Sequence, residues 1–128
     1  MTAMAIKLEA TAPVLVSVDV GATAKWYEEV LGFEAALFPD QAPFAFAILC
    51  RDGVEIMIRR CGPLGLLRTD GDWNVYIRMT GVHALYDKLH DRVPIVEPLH
   101  TKNYGCIEFA IEDPNGFRLV FSEKAPPS

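Results

Sequence analysis

Apolar and polar residues alternate with a period of two in several short runs of this chain, and a helical period interrupts these runs twice. Residues 13–18 (PVLVSV) are apolar and β-branched, which predicts a strand. Asp19 then stands where a helix N-cap belongs, its carboxylate placed to accept from the N–H groups of the first turn. The spacing predicts a helix to about Leu31, with Ala22, Trp26 and Val30 sharing one face. Gly32 supplies the left-handed stop, and Phe33 is placed to fold back on the last turn. Three strand-like runs follow: FEAALF, FAFAILCRD and VEIMIRR. Pro39–Pro43 separates the first two, and Asp52-Gly53 suits a hairpin between the second and third.

The same order then recurs. WNVYIRMT, from Trp73, predicts a strand, and residues 82–92 a helix with Val82, Leu85 and Leu89 on one face. Pro94 ends it and opens an extended run, PIVEPLHTK. Gly105 opens a last hairpin whose turn is Asp113-Pro114-Asn115-Gly116, with Asp and Pro suiting the early turn positions and Asn and Gly tolerating positive φ. Residues 61–72 hold Gly62, Pro63, Gly65 and Gly71 and read as a linker. Residues 1–11 are a loose arm or an edge strand, and 124–128 a frayed tail. The expectation is an α+β fold of two βαβββ modules: one at about 12–60, the other at about 73–123. Together they form a single domain over residues 1–128, as a chain of this length suggests.

Alternation within the strands sorts their side chains into two faces. Val75, Ile77 and Met79 oppose Asn74, Tyr76 and Arg78; Val54, Ile56 and Ile58 oppose Glu55, Met57 and Arg59. Ile107, Phe109 and Ile111 oppose Cys106, Glu108 and Ala110; Leu119 and Phe121 oppose Arg118, Val120 and Ser122. The apolar face packs against the helices. The mixed face is a solvated outer surface if the sheet is open, and the lining of a cup if the sheet curls. The candidate ligand-binding residues are Phe46, Met57, Arg59, Trp73, Asn74, Tyr76, Arg78, Tyr104, Glu108 and Arg118. Trp73, Tyr76, Tyr104, Phe44 and Phe46 serve as core, the commoner arrangement, or as flat contact for a planar ligand. Glu108 is a general base or, as the commoner arrangement, the ion-pair partner of Arg59, Arg78 or Arg118.

The remaining chemistry narrows the field by what it lacks. The net charge is -5, and no Lys/Arg cluster offsets it, which argues against nucleic acid as a partner. No apolar run reaches the ~20 residues of a membrane span. The opening MTAMAIKLEA has Lys7 as its lone cation and no apolar core, so it does not read as a signal peptide. Cys50, Cys61 and Cys106 are odd in number and widely spaced, which fits a reducing compartment. A cytoplasmic location is the expectation. No CxxC, CxxH, HxxxH, HExxH, GxSxG or phosphate-binding glycine loop occurs. His83, His90 and His100 read as surface or packing residues, and Cys106 as a small buried one.

VSVDVGATAKWYEEVLGFE resembles the opening of vicinal-oxygen-chelate proteins, the glyoxalase, bleomycin-resistance and extradiol-dioxygenase group. EFAIEDPNGFRLVFSE resembles their closing hairpin, so the resemblance spans about residues 12–123. It implies two βαβββ modules whose sheets form an incomplete barrel around a cleft, and a chain that pairs with a second copy. The opening is most similar to the bleomycin-resistance branch, whose members are dimers that sequester an antibiotic without a catalytic metal. Metal-using members place His, Gln or Glu at points that fall here near Ala12, Asn74 and Val120, and none of these is a good donor. The resemblance therefore implies a homodimer that holds a small organic molecule with no metal or other cofactor. The alternatives are a metal-dependent lyase, isomerase or dioxygenase, and a structural module with an empty cleft.

Overall fold

The structure, a computed structural model, describes residues 5–61 and 71–126. The first half runs β1 (Val14–Ser17), α1 (Val20–Leu31), β2 (Glu34–Phe38), β3 (Phe46–Arg51) and β4 (Val54–Arg60). The second runs β5 (Trp73–Arg78), α2 (Val82–Leu89), β6 (Ile95–Thr101), β7 (Cys106–Glu112) and β8 (Arg118–Lys124). Each half builds a four-stranded sheet in which the first strand pairs in parallel with the last: β1-β4-β3-β2 and β5-β8-β7-β6. The other pairings are antiparallel. The two βαβββ modules are present, and the sheets are not closed into a barrel. Most of the linker expected at 61–72 lies outside the described residues.

Local chemistry sets the helix ends. Asp19 accepts from the Ala22 N–H at 3.0 Å. Gly32 takes φ 71°, its N–H reaching Glu28 O, while the Phe33 N–H reaches Tyr27 O at 3.2 Å. That pair of bonds reverses the chain and folds Phe33 against Tyr27, ring edge to face at 5.9 Å. Asp52 and Gly53 both take positive φ, 51° and 83°, as a two-residue hairpin twisted with its strands requires. In the longer turn only Gly116 does so; Asp113 O accepts its N–H, and the Asp113 carboxylate accepts from Asn115 N–H at 2.8 Å. Helix α2 ends at Leu89, short of the expected 92, and a turn carries the chain to Pro94.

The buried face of α1 differs from the one expected. Val20, Thr23, Ala24, Tyr27 and Leu31 are buried, whereas Ala22 is exposed and Trp26 and Val30 are half-buried. The reason is Tyr27, whose hydroxyl donates to Asp113 of the other module at 2.7 Å and pulls that line of the helix inward. Asn115 Nδ2 donates to Thr23 Oγ1 at 2.9 Å, and Thr23 also meets Ser17 Oγ at 2.7 Å. Burial, then the neighbouring carboxylate, pushes the Tyr27 hydroxyl well up. Burial also raises Asp113, outweighing the donors that favour its charge. The helix-covered faces of both sheets share one continuous core, from Leu15, Leu49, Ile56 and Ile58 to Val75, Phe109, Leu119 and Phe121. Their opposite faces point away from that core.

Candidate functional site

The face of the second sheet away from its helix carries the densest chemistry. Strand alternation puts Tyr76 and Arg78 there from β5, Glu108 from β7 and Ser122 from β8. Trp73 joins them through an irregularity. The β5–β8 register shifts between Trp73 and Val75, so Trp73 lies beside Tyr76 with ring centroids 5.7 Å apart. Asn74 fills the ladder gap, its Oδ1 accepting from Arg118 N–H at 2.8 Å. Tyr104 reaches in from the turn before β7.

These residues surround a buried carboxylate. Glu108 is 1% exposed. Its Oε1 accepts from the Tyr104 hydroxyl at 2.6 Å, and its Oε2 accepts from Ser122 Oγ at 2.9 Å and from the Tyr76 hydroxyl. Burial pushes Glu108 up, but the three hydroxyl donors, helped by Lys102, win and hold it below the usual carboxylate range. Tyr76 and Tyr104 shift the other way: burial, then donation to Glu108, raises both hydroxyls. At neutral pH the carboxylate is ionised and both phenols keep their protons. None of the three is poised for proton transfer near pH 7.

Glu108 was expected to pair with an arginine, and it does not. The arginines are engaged elsewhere. Arg118 donates to Gly71 O at 2.7 Å and pairs with Glu112 at 3.3 Å. The Arg78 guanidinium lies 6.0 Å from the Tyr76 ring centroid. Arg59 is on the other sheet. Two further residues, Glu97 and Lys102, escaped the sequence reading. Glu97 accepts from the Trp73 indole N–H at 2.5 Å, and Lys102 Nζ lies 3.4 Å from Glu97 and 5.3 Å from the Trp73 ring centroid. Both fall in a Pro-interrupted run whose register with β7 slips twice, so alternation could not assign them a face.

The remaining candidates sit on the first sheet. Its away face presents the row Val14, Met57, Ile48 and Ala36, and beside it Val16, Arg59, Phe46 and Phe38. Phe46 and Phe38 are 6.4 Å apart. This half is apolar around Phe46, Ile48 and Met57, with Arg59 on one side and the row Glu34, Cys50 and Glu55 on the other. No hydrogen bond, ion pair or ring contact among the described residues joins it to the Trp73–Tyr76–Glu108 cluster. The two away faces thus belong to two separate sheets of one chain. Phe44 belongs to neither, since it packs near Gly21 at the start of α1. His83, His90 and His100 are exposed, and Cys106 is half-buried at the edge of the cluster.

A sequence model described as the Glyoxalase/Bleomycin resistance protein/Dioxygenase superfamily matches residues 9–121. The chain belongs to that superfamily. Among curated proteins none matches it. Among solved structures, a bleomycin-binding protein from bleomycin-producing Streptomyces verticillus, complexed with copper(II)-bleomycin, is 25% identical with a TM-score of 0.70, covering 96% of this chain and all of its own. TioX from Micromonospora sp. ML1 is 21% identical with a TM-score of 0.76, covering 91% and 98%. A glyoxalase-related enzyme from Clostridium phytofermentans is 17% identical, also at 0.76, covering 93% and 97%. The last two likenesses speak to the fold.

Among the described residues, the three points at which the resemblance places metal donors do not fit a metal. Val120 is buried between Tyr76 and Ala110 in the ladder, Asn74 Oδ1 is spent on Arg118 N–H, and Ala12 has no donor. Among the described residues no three His, Cys, Asp or Glu side chains converge. Nor is any described helix long and apolar enough to cross a membrane.

Proposed function

We propose that this protein binds a small organic molecule in a cup, needs no metal to do so, and acts by sequestration in the cytoplasm. The observation that carries the reading is the aromatic group Trp73, Tyr76 and Tyr104 arranged around the buried Glu108. Trp73 and Tyr76 are each 38% exposed and Tyr104 is 54% exposed, so ring surface is open to a planar ligand. Both tyrosines spend their hydroxyl protons inward on Glu108. Toward a ligand their oxygens can then only accept. Such a surface favours a flat molecule with hydrogen-bond donors or a cationic group, and the net charge of -5 draws cations to it. The likeness to a bleomycin-binding protein supports the same ligand class and a role in antibiotic resistance.

The cup is completed by a second copy of the chain. In this reading the half carrying Met57, Arg59 and Phe46 faces the aromatic half of a partner. Asn74, Arg78 and Arg118 shape the aromatic half from its edges.

A thermal-shift screen over cationic glycopeptides and planar aromatic amines tests the proposal. A true ligand at a hundred times its Kd adds about 2.7 kcal/mol of stability. Trp73→Ala abolishes that gain. A panel without any stabiliser, or a stabiliser indifferent to Trp73→Ala, overturns the reading. Elemental analysis that finds one tightly held metal ion per chain refutes its metal-free part.

A further inference from the structure

A second concavity lies between the two modules, on the helix side of the sheets, and borders the aromatic half of the cup at Arg78. It has a volume of about 620 Å³. Its walls are the end of α1 and the β3–β4 hairpin from the first half, and the ends of β5 and the exposed flank of α2 from the second. Leu31, Phe33, Val54, Ile77, Leu85 and Phe121 give it an apolar floor.

The repeat explains why the space exists. The equivalent seam in the other half, where the β7–β8 turn meets α1, is filled. There a four-residue turn, Asp113 to Gly116, reaches over the helix and bonds Tyr27 and Thr23. In the first half the β3–β4 turn is Asp52-Gly53 alone, too short to reach α2. Aligning the helix starts Val20 and Val82 sets Leu85 against Thr23 and Leu89 against Tyr27. Helix α2 therefore offers no polar group at those two points to hold a turn. The missing turn and the missing hydroxyls leave one side of the pseudo-symmetric pair open.

The charges on its rim select a ligand. Three of the four ionisable lining residues are cationic: Arg51, Arg78 and Lys88, against Asp52. Arg51 and Asp52 pair with each other at 3.3 Å, and Arg51 also donates to Leu31 O at 2.5 Å. The Arg78 guanidinium leans toward the Tyr76 ring. Lys88, exposed in the last turn of α2, has no ion-pair partner among the described residues. A local excess of positive charge over an apolar floor stands out in a chain of net charge -5.

We propose that this inter-module cleft is a second ligand site, specific for small amphipathic anions: an apolar body seated on the Leu31–Phe121 floor and a carboxylate or sulfonate held at Lys88. Its volume lies within the ~300–1,000 Å³ usual for small-molecule pockets. Because the site shares neither ligand class nor aromatic residues with the cup, either can fail without the other.

The test uses the fluorescence of anilinonaphthalene sulfonate on the full chain at neutral pH, with decanoate as competitor. The expected result is saturable binding that decanoate displaces. Ala84→Trp, which fills the cleft from an exposed helix position, abolishes it. Lys88→Glu weakens it about tenfold or more, as loss of a charge-assisted contact does. Trp73→Ala leaves it unchanged. Circular dichroism melts confirm that each variant unfolds cooperatively. Absence of binding, binding indifferent to Ala84→Trp and Lys88→Glu, or binding lost in Trp73→Ala would each overturn the proposal.

Discussion

Glu108 shows how much a single side chain's meaning depends on its neighbours. Alternation along CIEFAIE placed it correctly on the mixed face, but its partners could not be read from that pattern. Tyr76 is 32 residues away, Ser122 is 14 away and Tyr104 lies in a turn, so only the ladder brings three hydroxyls to one carboxylate. Those hydroxyls hold Glu108 ionised below its usual range. The sign of the pH effect follows. A carboxylate whose folded pKa is depressed adds stability that is fully present above its unfolded value, about 4.3, and is lost as pH falls through the folded value. Glu108→Gln leaves the hydroxyl donors imperfectly matched and costs about 1–3 kcal/mol at pH 7. In urea melts across pH, the gap between wild type and Glu108→Gln narrows on acidification below about 4.3. A gap that stays constant down to acid pH would show that the ionised form contributes nothing.

At the scale of elements, ends set by local chemistry are legible in the sequence and ends set by distant partners are not. Asp19 and Gly32 bracket α1 by bonds spanning a few residues, so the residue types alone announce them. The N-cap position of α2 is Gly81, which has no side chain to cap it. Its first N–H groups are met instead by Glu123 of β8, whose Oε1 accepts from Gly81 and Val82 at 2.9 Å each. Nothing near residue 82 signals that. The two caps make a paired prediction. Asp19→Ala and Glu123→Ala each lower stability by about 1 kcal/mol in chemical denaturation, the usual cost of a lost N-cap. A Glu123→Ala chain as stable as wild type would remove the tertiary cap from the account of α2. The shift at Trp73 and Asn74 is a similar case: period two puts Trp73 on the core side with Val75, and the register slip returns it to Tyr76.

For the whole molecule, the question is what covers the faces the fold leaves open. Ile6 and Leu8 are 96% and 94% exposed on an arm without strand pairing, Val14 and Phe38 are exposed on the first sheet, and Val18 is exposed in the bend after β1. In the proposed dimer these side chains form part of the interaction face. The dimer invoked for the cup would bury it. Sedimentation velocity at micromolar concentration should show a dimer, and replacing both Ile6 and Leu8 with Glu should shift it toward monomer. A wild-type monomer under those conditions would refute the completed cup.

The chain's own periodicity determined the two βαβββ modules, their order and most of their turns, because strand alternation, helix caps and Asp-Gly or Asp-Pro-Asn-Gly turns act over a few residues. It also determined that good donors are absent from Ala12, Asn74 and Val120, since that depends on residue type alone. Tertiary structure alone decided that Glu108 meets tyrosines rather than arginines, and that Tyr27 rather than Trp26 turns inward. It also decided that the two seams of the repeat are unequal, one filled and one open. The physical reason is range: each of these outcomes turns on side chains brought together from separate strands or from opposite modules, at distances in sequence over which no local pattern carries information.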